Sequence, residues 1–239
     1  MDYEDFLRLV KTRKSVRRYK SEPVPDEVLA KILEAARQAP SAGNSQPWEF
    51  VVVKDPETRK KVSKGIALKI KEEVVKDPDI ARGIAVQPFL YTAPVIIAVC
   101  GDPRLQEAYP AWMDRYALMR QSLSNCIYTL QLAAACFGLA TAWATIQSGP
   151  TEDAVKEILG IPESYTVDHM VPVGYADKEA EDKQATLRTV KERARFRRNL
   201  DNLVHYEHYR MEKYRSDEAV KAFLWENTIT RIPKLGSET

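Results

Sequence analysis

VLAKILEAARQAPSAGNSQPWEFVVV, residues 28–53, passes from one kind of local structure to another within a single stretch. Its first part repeats apolar residues at helical spacing from Val28 to Ala39, and Pro40 ends that pattern. Its last part, residues 48–53, is a short, strongly β-prone apolar run of the kind that forms a buried strand. The loop between them is longer and richer in hydroxyl and amide groups than a simple helix-to-strand connection requires.

The rest of the chain continues this mixture of helices and strands. Apolar spacing predicts helices at 3–11, 57–76 and 112–137, and another that begins at Thr151 and ends at Gly160. Apolar β-prone runs predict two further strands, at 93–102 and 166–175. Strands and helices do not alternate regularly enough for a doubly wound parallel sheet. The pattern therefore predicts an α+β fold.

Length and composition indicate an ordinary globular protein. The 239 residues are 44% hydrophobic and 29% charged, and we expect one main domain at 1–195, followed by a charged, helix-like, aromatic extension at 196–239. This extension is expected to pack on something, a partner subunit being one candidate. The net charge of +2 favours neither nucleic acid nor membrane as a partner. We expect a cytoplasmic location, because residues 1–12 are charged and no apolar run reaches the roughly 18 residues of a membrane span.

Cysteine and histidine spacing offers little chemistry. Cys100, Cys126 and Cys136 lie in apolar runs without CxxC spacing, which predicts reduced thiols in the core. His205 and His208 have no third ligand in view, so no metal site is predicted. His169 lies on a predicted strand and is expected to be a hydrogen-bonded core or supporting residue. Neither GxGxxG nor GxxxxGK[ST] occurs, which argues against the common dinucleotide and phosphate loops.

Four segments contain groups that suit a ligand. In TRKSVRRY, 12–19, four cationic residues and Ser15 could surround a phosphate or a polarised carbonyl, although a solvated basic turn has the same composition. In PSAGNSQPW, 40–48, polar side chains lie beside Ala42 and Gly43, which permit close backbone approach; the alternative is a connection whose polar groups bond only to its own backbone.

The remaining two segments are weaker indications. In GLATAWATIQSGP, 138–150, small residues would let the backbone lie edge-on to a flat ring, or else form a buried extended segment with Trp143 in the core. LRTVKERARFRR, 187–198, is typical of a solvated basic helix face from which one or two cations could reach an anionic ligand.

Taken in order, these segments resemble the nitroreductase family of FMN-dependent oxidoreductases, over about residues 8–190. The segments that carry the resemblance are TRKSVRRY, EAARQAP, SAGNSQPWEFVVV, FGLATAW and VPVGY. The resemblance implies a central, mostly antiparallel sheet flanked by helices, in an intertwined homodimer with FMN at the subunit interface. It also implies that each FMN contacts residues from both chains.

The resemblance also implies particular FMN contacts. The residues similar to those that bind the phosphate, ribityl chain and pyrimidine edge are Arg13, Lys14, Ser15 and Arg17. In the family, the other subunit presents a polar loop to the same flavin. The residues of this chain that resemble that loop are Pro40, Ser41, Ala42, Asn44 and Gln46. The backbone near the reactive edge corresponds to Trp143, Ala144 and Thr145, and a late phosphate contact to Arg188.

The activity implied is a ping-pong cycle in which NAD(P)H reduces FMN by hydride transfer and a nitroaromatic, quinone or similar small molecule then reoxidises it. Such a hydride step needs positioning and electrostatic tuning from the protein, so no catalytic acid or base is assigned. Same-fold alternatives are reductive dehalogenation and oxygen-dependent breakdown of FMN. A non-catalytic flavin-binding or redox-sensing protein, or a basic-tailed interaction protein without flavin, also remains open.

Overall fold

The computed structural model describes residues 2–76, 89–146, 149–178 and 197–227, which divide between two compact units. The larger unit comprises described residues 2–72 and 89–178, and the smaller unit comprises 73–76 and 197–227. The predicted domain boundary at residue 195 lies outside the described residues and stays a prediction.

The longer helices and strands of the larger unit form where the apolar patterns predict them. The α-helices are α1 (Tyr3–Thr12), α2 (Asp26–Arg37), α3 (Pro56–Lys76), α4 (Phe89–Thr92), α5 (Arg115–Cys136), α6 (Pro150–Leu159) and α7 (Asp217–Asn227). The strands are β1 (Trp48–Val53), β2 (Val95–Gly101), β3 (Ala140–Thr141), β4 (Ala144–Thr145) and β5 (Thr166–Gly174). Short 3-10 turns cover Ala42–Asn44, Pro103–Ala108, Leu200–Asn202 and Met211–Lys213.

One antiparallel sheet organises the larger unit. Its order is β1-β2-β5-β3, and β4 also pairs with β5. Every residue of β2 is buried, which explains why its sequence is apolar throughout and does not alternate. The α+β prediction with a mainly antiparallel sheet is therefore confirmed.

Strands β3 and β4 are two parts of one edge segment. Thr141 pairs with Val173 and Ala144 pairs with Met170, so both strands keep the same register on β5. Between them, the Ala142 amide donates to the Pro172 carbonyl at 3.4 Å. Because Pro172 has no N–H to return a bond, the ladder is interrupted there while the chain stays extended.

The main core lies between the sheet and the α2–α5 pair. Ile32 of α2, Leu130 of α5 and Ile97 of β2 are all fully buried and belong to one apolar cluster. Trp48, the first residue of β1, is buried in the same cluster. This packing fixes the position of the polar loop, because the loop connects α2 to β1.

The cysteines follow the sequence prediction only in part. Cys100 and Cys126 are buried free thiols, and burial raises the pKa of each to about 12, so both stay protonated and unreactive at neutral pH. The prediction that Cys136 lies in the core is wrong, because this residue is exposed. It is the last residue of α5, where Phe137 and Gly138 lead the chain out of the helix at an exposed turn.

Within the described ranges, no helix combines the length and apolar character needed to cross a membrane.

Candidate functional site

The basic turn lies along the edge of the sheet. The Val16 amide donates to the Thr141 carbonyl at 2.9 Å, and the Lys20 amide donates to the Tyr175 carbonyl at 2.9 Å. Ser15 forms a parallel β-bridge with Thr141. The turn therefore adds a short extended segment beside β3.

Burial separates the apolar side chains of the turn from its charged ones. Val16 and Tyr19 are buried, and the Tyr19 hydroxyl donates to the Val16 carbonyl at 2.6 Å. Lys14 and Arg17, which flank Val16 at other positions of the extended segment, are exposed. Arg13 and Ser15 are partly buried, as is typical of side chains at the rim of a site. The turn thus presents cationic and hydroxyl groups while its apolar residues join the core.

The edge segment 140–145 contributes mainly backbone. Ala144 is buried and Thr145 is exposed opposite His169. The Trp143 indole is partly buried against the core, and its Nε1 donates to Nδ1 of His169 at 2.9 Å. The two rings meet edge to face, with centroids 5.0 Å apart. The Trp143 side chain therefore matches the alternative prediction, in which it packs on the core from an extended segment.

His169 is hydrogen-bonded, as the sequence predicts. Because Nδ1 accepts from Trp143, the neutral imidazole carries its proton on Nε2. Burial lowers the pKa of His169; the neighbouring Asp168 acts to raise it and Arg120 acts to lower it further. Neutral His169 is therefore the form that supports Trp143.

Asp168 and Arg120 form a second contact that sequence patterns did not indicate. Arg120 Nε lies 3.2 Å from an oxygen of the buried Asp168 carboxylate, and its guanidinium lies 5.6 Å from the centre of the Tyr116 ring. The pair joins α5 to β5 across a large sequence separation, so no local spacing signals it.

The polar loop has an unusual backbone. Gly43, Asn44 and Gln46 have φ values of 51°, 56° and 47°, in the left-handed region. Glycine adopts this region freely and asparagine tolerates it, whereas it is strained for glutamine. Clusters of such residues occur preferentially at functional sites.

Hydrogen bonds fix this conformation from two sides. Inside the loop, the Gln46 amide donates to Ser41 Oγ at 3.0 Å, and the Gln46 side chain donates to Asn44 Oδ1 at 3.3 Å. From α5, Ser122 Oγ accepts the Ala42 amide at 3.1 Å and Asn125 donates to the Pro40 carbonyl at 3.2 Å. Some polar side chains of the loop therefore form hydrogen bonds with its own backbone, while the Asn44 and Gln46 side chains remain exposed.

Tyr109 packs directly on this loop, which the sequence did not indicate. A Cβ added to Gly43 would lie 2.2 Å from the Tyr109 hydroxyl, so glycine is required there by space as well as by φ. The Tyr109 carbonyl accepts a hydrogen bond from the Arg115 guanidinium. Three atoms around the loop are buried without a hydrogen-bond partner: Ser45 Oγ, Tyr109 OH and Arg115 Nε. Such atoms in a folded protein require an explanation, a ligand or water being the usual one.

The structure thus assembles the predicted residues in two groups. Arg13, Lys14, Ser15 and Arg17 lie beside the 140–145 edge, where cationic donors suit an anionic ligand. Residues 40–46 are fixed on α5 instead. Arg188 and residues 77–88 lie outside the described part of the chain. No group of three His, Cys, Asp or Glu that could bind a metal occurs among the described residues.

Comparisons with known proteins find similarity to this chain in both sequence and fold. The nitroreductase family model matches residues 10–175. A protein of Archaeoglobus fulgidus, provisionally named an NADH dehydrogenase/NAD(P)H nitroreductase, is 36% identical over 179 residues, 74% of this chain and 88% of that protein. The iodotyrosine deiodinase of Nematostella vectensis is 29% identical over 79% of this chain and 73% of its own length. A crystal structure of iodotyrosine deiodinase bound to FMN and 3-iodo-L-tyrosine is similar with a TM-score of 0.57 and 27% identity, covering 72% of this chain and 89% of that chain.

Proposed function

Because the chain belongs to the nitroreductase family, we propose that it is an FMN-dependent oxidoreductase that takes electrons from NAD(P)H and reduces a small organic acceptor such as a nitroaromatic or quinone. The observation that carries this proposal is the bond from the Val16 amide to the Thr141 carbonyl, 2.9 Å. It brings the cationic turn against the 140–145 edge, although the two segments are far apart in sequence.

The residues at this edge fit FMN. A phosphate requires several charge-assisted donors, and Arg13, Lys14 and Arg17 supply them within one turn, with Ser15 between them. Arg188 is proposed as a further phosphate contact. Backbone at 143–145 is proposed to lie near the reactive edge of the ring, next to the exposed Thr145.

We further propose that the second wall of the site comes from another copy of the chain. Residues 40–46 are fixed by α5 and leave Asn44 and Gln46 exposed, so these side chains are available to a neighbouring subunit. A strained, preformed loop loses little conformational entropy when it contacts a ligand. This arrangement supports a homodimer in which each FMN contacts both protomers.

Bound FMN supplies the hydride chemistry, and the protein residues provide position and charge. Lys14 or Arg17 would place positive charge beside the pyrimidine side of the ring, where it stabilises negative charge. Thr145 and its backbone neighbours would align the ring edge. No side chain of this chain is assigned as an acid or base in the hydride step.

The colour of the purified protein tests the proposal. We expect flavin absorbance bands that NADH or NADPH bleaches under anaerobic conditions, and that a quinone or nitroaromatic restores. A colourless protein that does not bind added FMN would contradict the proposal. A yellow protein that neither NADH nor NADPH bleaches would support flavin binding but contradict NAD(P)H as the electron donor.

Reductive dehalogenation is a second candidate activity, favoured by the similarity to iodotyrosine deiodinases in both sequence and structure. The two activities differ in product and can be measured on one preparation. Chemically reduced holoprotein would be mixed with 3-iodo-L-tyrosine or with a nitroaromatic in separate reactions. Release of iodide at a rate above that of nitro reduction would assign dehalogenation, and the reverse ratio would assign nitroreduction.

A further inference from the structure

The smaller unit contains a groove outside the part of the chain that matches the family model. The groove is open to the surface and has a volume of about 360 Å³, within the range of sites that bind small molecules. Residues with cationic or aromatic side chains dominate its lining: Arg198, His205, Tyr209, Lys213, Tyr214 and Arg215. These residues lie beyond the family match, which ends at residue 175, and none of them is among the FMN contacts proposed above.

Charge is segregated at this groove. Residues 197–227 contain as many acidic as basic residues, yet the described lining includes three cations and no carboxylate. A half-buried cation is stabilised by an anionic partner, and three of them together favour an anion with more than one charge.

Neutral partners fix the positions of these cations. Lys213 Nζ donates to the Val204 carbonyl at 2.9 Å and also to the Asp201 carbonyl. Arg198 donates to the Asn202 carbonyl at 3.2 Å from one of its nitrogens, and its guanidinium carries further N–H donors. The Arg215 guanidinium lies 4.9 Å from the centre of the Phe223 ring. These contacts orient the charges without neutralising them.

Flat aromatic surfaces lie in the same groove. The His205 and Tyr209 rings are stacked, with centroids 4.2 Å apart and planes 17° from parallel, and His205 Nδ1 accepts the Arg210 amide at 2.9 Å. Tyr209 and Tyr214 are 56% and 61% exposed. Exposed aromatic faces next to cations are the combination with which proteins bind the base and the phosphate of nucleotides.

We propose that this groove binds a nucleoside monophosphate group, with the phosphate on Arg198, Lys213 and Arg215 and the base against Tyr209 or Tyr214. The small volume fits one nucleotide unit. The same group occurs in a free mononucleotide and in the adenylate end of a dinucleotide, and both sources present the same chemistry to the groove.

Calorimetric titration of the full-length, FMN-loaded protein tests this site. We expect AMP to bind at least tenfold more tightly than adenosine or inorganic phosphate, because each of these lacks one half of the recognised group. Arg198→Gln and Arg215→Gln should each weaken AMP binding about tenfold or more, as expected for loss of a charge-assisted hydrogen bond. Flavin absorbance is measured for every variant, so loss of the FMN site is distinguished from loss of the groove.

Arg210→Gln is the matched control, because it removes the same charge from the same segment and Arg210 is not one of the lining residues, while its backbone bond to His205 is kept. AMP binding that is unchanged in both groove variants, or equally weakened in the control, would overturn the proposal. Inorganic phosphate that binds as tightly as AMP would overturn the nucleotide class. Arg215 also contacts the Phe223 ring, so its replacement can affect folding. If Arg215→Gln lowers the melting temperature, AMP binding by Arg198→Gln alone tests the proposal. A parallel titration with NAD⁺ shows whether the group is taken from a dinucleotide or only from a mononucleotide.

Discussion

Gly43 is the residue on which the polar loop depends most. Its φ of 51° disfavours any side chain, and an added Cβ would lie 2.2 Å from the Tyr109 hydroxyl. Gly43→Ala should therefore lower the free energy of unfolding by about 2–3 kcal/mol, from backbone strain plus steric overlap. Chemical denaturation measures this directly.

Gly138→Ala separates the two causes. Gly138 has a φ of 70° but nothing within 4 Å of its added Cβ, so only the backbone cost of about 1 kcal/mol applies. Adding Tyr109→Phe to Gly43→Ala should recover part of the loss, since it removes the hydroxyl. Equal destabilisation by the two alanine variants would show that Tyr109 does not press on the loop.

Arg13 is a partly buried cation of the basic turn. Arg13→Ala should weaken FMN binding by about 1.5–3 kcal/mol, the typical value of a hydrogen bond to a charged group. Equilibrium dialysis of FMN measures the change. Arg8→Ala is the control, because Arg8 is exposed on α1 and pairs with Asp5. Parental FMN affinity in Arg13→Ala would refute the assignment of the turn.

His169 should make stability depend on pH. Burial lowers its pKa from the ordinary 6.5, so below that pH the unfolded chain binds a proton that the folded protein resists. The free energy of unfolding should thus fall as pH drops from 6.5 towards the lowered value. Above pH 6.5 this loss of stability should be absent, because His169 is then neutral in both states.

His169→Gln tests that dependence, because glutamine does not titrate but can still accept from Trp143 Nε1. Urea unfolding at about pH 7.5 and about pH 5.5 should show a smaller loss of stability in the variant than in the parent. An identical loss in both proteins would mean that other groups cause the pH dependence.

At the scale of elements, Glu152 connects α6 to β5. Its buried carboxylate accepts the Val167 amide at 2.8 Å and lies 3.0 Å from Lys156 Nζ, whose side chain is only 15% exposed. Glu152→Ala leaves a buried amide and a nearly buried ammonium without this partner. We expect about 3 kcal/mol of destabilisation.

Glu57→Ala is the matched control. Glu57 also lies in the first turn of a helix and pairs with a lysine, but its side chain is 72% exposed and the pair distance is 3.8 Å. Thermal and urea unfolding should show a change below about 1 kcal/mol for this variant. Comparable losses in the two variants would contradict the role given to burial.

The elements themselves were predictable because their signals are local. Apolar periodicity predicted β1 at its observed bounds and placed α2, α3, α5 and β5 within a few residues. The interruption between β3 and β4 was not predicted, because it depends on Pro172 lying opposite Ala142 in the sheet. Burial of Cys136 failed as a prediction because an apolar run gives no information about the exposed end of a helix.

The residues of the candidate site also divide into those with a local sequence signal and those without one. Composition and family resemblance indicated the basic turn, the polar loop and the 140–145 edge, each of which is a continuous segment. Tyr109, Arg115 and the Asp168–Arg120 pair reach their places only through tertiary packing. Their spacing along the chain carries no signal.

For the whole molecule, the apolar surface of α1 and α5 supports assembly. Tyr3 and Phe6 on α1 are 69% and 46% exposed, and Tyr128 on α5 is 41% exposed. A second subunit would cover these aromatic side chains, which remain open in one chain. Packing of the 196–239 extension on that subunit remains a proposal.

A mixed dimer tests most directly whether FMN is bound between one protomer's basic turn and its partner's polar loop. Arg13→Ala chains and Asn44→Ala/Gln46→Ala chains would be purified with different tags, mixed to exchange subunits, and the doubly tagged dimer isolated and assayed for FMN. In a shared site, one of the two sites combines an intact turn with an intact loop, so the mixed dimer should bind about one FMN although both parent homodimers have lost it. A mixed dimer as poor in FMN as its parents, or a monomer that retains FMN, would contradict the account.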